Sequence, residues 1–258
     1  MCGRAAALVE PQAVARATGL PGNVPTRRTA RFRPSCNVHP GQNVPVLYHA
    51  YAPEQQQEQE KGGGSGHQDL EVASMVWGLV PSFSKPEDKP NFFRMFNARS
   101  ETVNSKSIFK RLMAKRRAVV AFDGFYEWKK DAAGEKQPYF IHYEDGRPML
   151  MAALYDRARR PTAFERPSDA PEEDDPDHLY TFTILTTDSS PRLAWLHDRM
   201  PAVISAEAAR RWLHAGVDAA SALSSIAPND SADIVWHPVS KRMNSVKYQG
   251  EDCMEPVE

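Results

Sequence analysis

Cysteine is scarce and poorly spaced for any framework. Cys2, Cys36 and Cys253 are the whole complement of a 258-residue chain, an odd count with no Cys-x-x-Cys pair. A disulfide scaffold or a zinc ribbon is therefore not expected, and a reducing compartment fits. Long apolar runs are also missing. The longest uninterrupted one is Met149 to Tyr155, against the roughly 20 residues that span a bilayer. The first 30 residues carry no apolar core of a signal peptide, so secretion is not expected. The histidines His39, His49, His67, His142, His178, His214 and His237 are scattered without ligand spacing, so neither a metal nor a cofactor is expected.

What remains is ordinary for a soluble globular chain, with 41% hydrophobic and 25% charged residues. That excludes a wholly disordered chain and a collagen. The net charge of −1 averages two unlike populations. Residues 165–177 carry −6 and residues 251–258 carry −4, which leaves +9 on the other 237 residues. A basic body fits a polyanion partner, but on charge alone plain segregation of charge is the better account.

Two stretches read as insertions. Residues 53–68 have no apolar side chain, and residues 160–178 are rich in proline and acid. Neither can bury enough surface to offset chain entropy. Both interrupt one domain, expected over residues 2–250, with 251–258 as an acidic tail. Strands are expected at Ala73–Val80, Arg117–Phe122, Phe125–Trp128, Tyr139–His142, Met149–Tyr155, Tyr180–Thr186 and Ala202–Ile204. Helices are expected at Pro11–Thr18, Ser107–Lys115, Glu207–Leu213 behind a Ser205 cap, and Ala219–Ser225. Many strands with few helices give an α+β fold, with a largely antiparallel, barrel-like sheet and peripheral helices.

Several short blocks could carry chemistry. If Met1 is removed, Cys2 presents an α-amine and a thiol on adjacent carbons. The amine can condense with an aldehyde, and the thiol can then close a five-membered thiazolidine on the imine. Nearby Arg4 would favour the thiolate or hold an anion. The ordinary alternative is an incidental cysteine. In Asn97-Ala98-Arg99-Ser100-Glu101, an amide and a guanidinium could orient a nucleophile and grip a phosphate, but helix capping suits the same residues better. In Gly124-Phe125-Tyr126-Glu127-Trp128, aromatic neighbours would raise the Glu127 pKa toward general acid/base use. An edge strand with Glu127 in water is the alternative. His197, between Leu196 and Asp198, can exchange a proton near neutrality, or can simply be a loop residue before the strand opened by Pro201. Trp77, with one neighbouring phenylalanine, is expected at the surface as a stacking platform, the other aromatics in the core.

Taken in order, these blocks resemble the SRAP (SOS-response-associated peptidase) family of abasic site processing proteins. The matching pieces are Met1-Cys2-Gly3-Arg4, Asn37-Val38-His39-Pro40-Gly41, Trp77-Gly78-Leu79-Val80-Pro81, Asn97 to Glu101, Gly124 to Trp128, Leu185-Thr186-Thr187 and His197-Asp198-Arg199-Met200-Pro201. The resemblance implies a covalent trap for abasic sites in single-stranded DNA, including single/double-strand junctions, acting as a monomer. Cys2 would be the nucleophile, Asn97 would hold the cysteine or its amine, Glu127 would move protons, and His197 would protonate the sugar ring oxygen or stabilise the imine. Arg4, Arg99 and Arg199 would contact phosphates, Trp77 would stack on a base, and Asn37 would lie near the site. Strand cleavage by β-elimination and reversal of the link, with Glu127 implicated, belong to the same family picture. A thiol (auto)peptidase and a non-catalytic reader of modified bases are the alternatives.

The sequence departs from the family at Phe83, where tryptophan is frequent, and at Asp188-Ser189-Ser190. No sliding-clamp motif follows the domain, so that partner is not expected, and neither is a membrane. The implied location is the nucleus in a eukaryote and the cytoplasm in a bacterium. Lys115-Arg116-Arg117 could pass for a localisation signal but enters an expected core strand.

Overall fold

The computed structural model describes residues 2–20, 23–50, 70–130, 132–164 and 175–257. The insertion expected at 53–68 lies outside the described residues, as do residues 165–174 of the second one.

Five strands close on themselves. They are β4 (Asn43–His49), β5 (Leu70–Trp77), β7 (Arg117–Phe122), β10 (Met149–Arg159) and β11 (His178–Asp188). Antiparallel ladders join β11 to β10, β10 to β7, β7 to β4 and β4 to β5. The ring closes where β5 meets β11 in parallel, with Val76 opposite Thr181 and Trp77 opposite Phe182. Closure removes exposed edges along the ring, and the short strands β2 (Thr26–Arg27) and β13 (Val203–Ile204) pair with β5 and β10.

These strands are continuous apolar runs because both of their faces are covered. Val46, Ala73, Val120, Met151 and Ile184 fill one cluster, and their chain neighbours Leu47, Val72, Val119, Leu150 and Leu185 fill a second. The helices α1 (Pro11–Ala17), α2 (Ser107–Lys115), α3 (Ala206–Leu213) and α4 (Ala219–Leu223) bury their apolar residues in that second cluster. Ser205 caps α3 as expected, its Oγ accepting from the Ala208 amide at 3.1 Å.

A second sheet runs in the order β14 (Ile234–Pro238), β9 (Lys136–Tyr143), β8 (Gly124–Lys130), β1 (Ala5–Ala7), β3 (Ser35–Val38). Alternation splits its faces. Ala5, Ala7, Phe125 and Ile141 join the barrel-side core, whereas Ala6, Cys36, Tyr126 and Phe140 pack on the opposite side. The result is α+β and largely antiparallel, as the sequence predicts.

Three readings change. The strand expected to run to Val80 stops at Trp77, because Gly78 turns the chain at φ 110°. A Cβ there would lie 2.2 Å from the Phe92 carbonyl oxygen. Gly78→Ala is therefore expected to destabilise the fold by about 2 kcal/mol or more, read as a lowered thermal midpoint. Asn97–Arg99 forms a strand, β6, rather than a helix cap, because β11 offers it a parallel partner. The residues set apart as an acidic tail are held on the second sheet. Cys253 is buried, Pro256 bridges to Val239, and the Val257 amide donates to Pro238 O at 3.0 Å.

Candidate active site

The β1–β8 ladder decides what Cys2 meets. Ala5 lies opposite Phe125 and Ala6 opposite Gly124, and the Tyr126 amide donates to Arg4 O at 3.0 Å. In an antiparallel pair, residues before Ala5 run beside residues after Phe125. Cys2 is thereby carried toward Glu127, which shares the barrel-side face with Phe125. Both Cys2 and Glu127 are buried.

The carboxyl end of β11 brings in two more side chains from opposite flanks. On one flank β6 pairs Asn97 with Ile184. Asn97 Nδ2 donates to Cys2 O at 2.8 Å, while its buried Oδ1 has no hydrogen-bond partner among the described residues. On the other flank β12 (Arg199–Pro201) pairs Arg199 with Asp188, and His197 stands just before it. His197 Nδ1 accepts from the Arg199 amide at 3.0 Å and lies 2.8 Å from Asp198 Oδ1. Glu127 and His197 line one narrow cleft with Phe125, Ile141, Leu196 and Met200.

The apolar walls set the electrostatics. Burial raises the Glu127 carboxyl to about 7. Burial and the Glu127 charge also push the Cys2 thiol well up. Burial holds the His197 imidazole below its usual value, with Asp198 opposing. Near neutrality the site therefore holds an un-ionised thiol, a neutral imidazole and a carboxyl poised to give or take a proton. Among the described residues no three His, Cys, Asp or Glu side chains converge as a metal site.

The expected role of Arg4 in lowering the thiol pKa does not hold. Its guanidinium is tied to Asn37 Oδ1 and to the carbonyls of Met243 and Asn244, and it lies 5.9 Å from the Trp128 ring centroid. Asn37 is fully buried, and its Nδ2 gathers the carbonyls of Met243, Ser245 and Tyr248. It clamps that segment and the Arg4 side chain.

Trp77 is overturned as a surface platform. It is 0% exposed, donates Nε1–H to Phe96 O at 3.0 Å, and stacks on Phe182 across the ring closure. Among the described residues the exposed large aromatics are Phe83 at 72%, Phe93 at 61% and Trp195 at 37%. Arg99 is exposed. Arg199 is buried, gripping Glu101 through both terminal nitrogens and Asp188 through one. Asp188, where the sequence departs from the family, thus serves as a counter-ion. Neither it nor the carbonyls that seat Arg4 gave a local signal, because their partners lie far away in the chain.

A family model described as SOS response associated peptidase (SRAP) matches residues 1–246. The abasic site processing protein HMCES of Gallus gallus is 34% identical over this whole chain and 78% of its own length. The abasic site processing protein YedK of Escherichia coli is 35% identical over 73% of this chain and 76% of its own. A solved structure of a protein from Bacteroides thetaiotaomicron shares the fold, with a TM-score of 0.75 at 20% identity over the full length of both chains. The ordered blocks, the closed barrel and these matches agree, and the chain belongs to the SRAP family.

Proposed function

We propose that this protein processes abasic sites by trapping them covalently in single-stranded DNA, through Cys2 after loss of Met1. The observation that carries the reading is the buried Glu127 carboxyl that the β1–β8 register sets beside buried Cys2, whose carbonyl Asn97 holds at 2.8 Å. A ring-opened abasic sugar presents an aldehyde. The Cys2 amine adds to its carbon, the carbinolamine loses water, and an imine forms. The thiol sulfur then adds to the imine carbon while its proton passes to nitrogen. Aldehyde, amine and thiol become a thiazolidine and one water, with no oxidant required.

The order matters. A thiol pushed up by burial is a weak opening nucleophile, which favours the amine first. It also disfavours a thiol-peptidase reading, since that mechanism begins with a thiolate. Glu127 takes the proton from the amine and returns one to the departing hydroxyl. His197 donates a hydrogen bond from Nε2 to the sugar ring oxygen, easing ring opening. Asn97 fixes Cys2 through its carbonyl, and its Oδ1 is an acceptor for the freed amine. Asn37 and Arg4 act as positioning residues through the contacts described above.

Phe83 replaces Trp77 as the base-stacking side chain, and Arg99 is a phosphate contact. Phe83→Ala is expected to weaken noncovalent single-strand binding roughly 5- to 100-fold. Arg99→Ala should weaken it and reduce the salt slope by about one. Fluorescence anisotropy at two ionic strengths reads both. For the function itself, incubation with an oligonucleotide bearing one abasic site should give a shifted band on a denaturing gel. Single strands and junctions should react well and blunt duplex poorly. Equal yield from blunt duplex contradicts the strand preference, and no shifted band contradicts covalent trapping.

A further inference from the structure

The face of the second sheet turned away from the barrel holds two cysteines that the reaction at Cys2 does not use. Cys36 of β3 and Cys253 lie there with Ala6, Tyr126 and Phe140, whereas Cys2 belongs to the barrel-side core. One carbonyl gathers both residues. Gly250 O accepts from Cys36 Sγ at 3.2 Å and from the Cys253 amide at 3.1 Å. The Cys36 thiol bears directly on the Cys253 thiol and helps to raise it. Access is unequal. Cys253 is 0% exposed, while Cys36 is 8% exposed and lines an open cleft with Arg33, Pro34, Gln42 and Gln249.

We propose that Cys36 and Cys253 are a peroxide-sensitive pair that closes into a disulfide and locks the 240–257 segment onto β3. Cys36, at the cleft, reacts first. Its thiolate sulfur takes one oxygen from hydrogen peroxide as the O–O bond breaks, giving a sulfenic acid and, after protonation, water. The Cys253 sulfur then attacks Cys36 Sγ. The S–S bond forms, the S–OH bond breaks, and a second water leaves. Two thiols lose two electrons and two protons, and one peroxide becomes two waters. Burial and the neighbouring Cys36 thiol push the Cys253 thiol up to about 12, so it attacks as its proton passes to the departing hydroxyl.

The lock has a structural address. The segment it fixes supplies the carbonyls of Met243, Ser245 and Tyr248 to Asn37 and those of Met243 and Asn244 to Arg4. Oxidation would therefore stiffen the support of a residue two positions from Cys2. The pairing itself does not depend on the reaction proposed at Cys2.

The test uses the full chain in a Cys2→Ser background. The folded protein is treated with hydrogen peroxide, alkylated, digested without reductant and analysed by mass spectrometry. The expected product is one linked peptide joining the Cys36 and Cys253 segments, reversed by dithiothreitol. The thermal midpoint should rise by roughly 5–10 °C. Both effects should vanish separately in Cys36→Ser and in Cys253→Ser. Full alkylation of both cysteines after peroxide overturns the proposal. So does conversion of Cys36 to a sulfinic acid without a linked peptide, or a Cys36 bridge between two molecules.

Discussion

Cys2→Ala is expected to abolish the stable complex with abasic single-stranded DNA while leaving noncovalent binding in place. Alanine is small enough for Met1 still to be removed, so the variant keeps the free α-amine. It can condense with the aldehyde, but without sulfur the imine stays open to water. The thiol's contribution is an intramolecular closure, worth an effective molarity of roughly 10⁵ M or more. The surviving band on a denaturing gel should be below about 1% of the wild-type yield on that basis. Sodium borohydride should restore a band by reducing the imine, which separates loss of the thiol from loss of DNA binding. Equal bands from variant and wild type, without borohydride, would remove Cys2 from the mechanism.

Glu127→Gln is expected to damage activity and improve stability together. Loss of a positioned acid/base typically lowers a rate about 10²- to 10⁴-fold. The stability effect follows from burial. The Glu127 pKa rises from 4.5 to about 7 in the folded state. A raised carboxyl pKa means the folded protein holds its proton more tightly than the unfolded chain. Stability is therefore lost as pH climbs from about 4.5 through 7, and the whole penalty is present above 7. A rise from 4.5 to about 7 corresponds to about 3 kcal/mol. The amide removes that penalty, so the variant should melt about 6–12 °C higher than wild type at pH 8. Near pH 4 the difference should disappear, because Glu127 is then protonated in both states. The wild-type capture rate should show a titration near pH 7 that the variant lacks. A variant that melts below wild type at pH 8 would contradict the assignment of Glu127 as a buried, poised carboxyl.

Both predictions rest on contacts the sequence could signal only partly. Local pattern located α2 at Ser107–Lys115 and β7 at Arg117–Phe122, because a continuous apolar run or an amphipathic turn needs no distant partner to be recognised. It missed β1, whose Ala5-Ala6-Ala7 shows no alternation and becomes a strand by lying between β8 and β3. The parallel contact between β5 and β11 was equally silent, yet it closes the barrel and buries Trp77.

The site divides the same way. Residue chemistry singled out Cys2, Asn97, Glu127 and His197 individually. Their meeting depends on the β1–β8 register and on two strands flanking one end of β11. Arg4 and Arg199 looked alike in sequence as phosphate grips. Arg4 is seated by carbonyls some 240 positions away, and Arg199 by Glu101 and Asp188. Charge alone did not show which cations were already engaged.

The most direct measurement is a mass spectrum of residue 2 after reaction with an abasic single strand, following nuclease and protease digestion. The account predicts a peptide beginning at Cys2, without Met1, carrying the sugar remnant with one water lost. Its thiol should resist alkylation and its amine should resist acylation, since both are consumed in the ring. A trapped complex whose first peptide keeps Met1, or whose Cys2 thiol still alkylates, would contradict it.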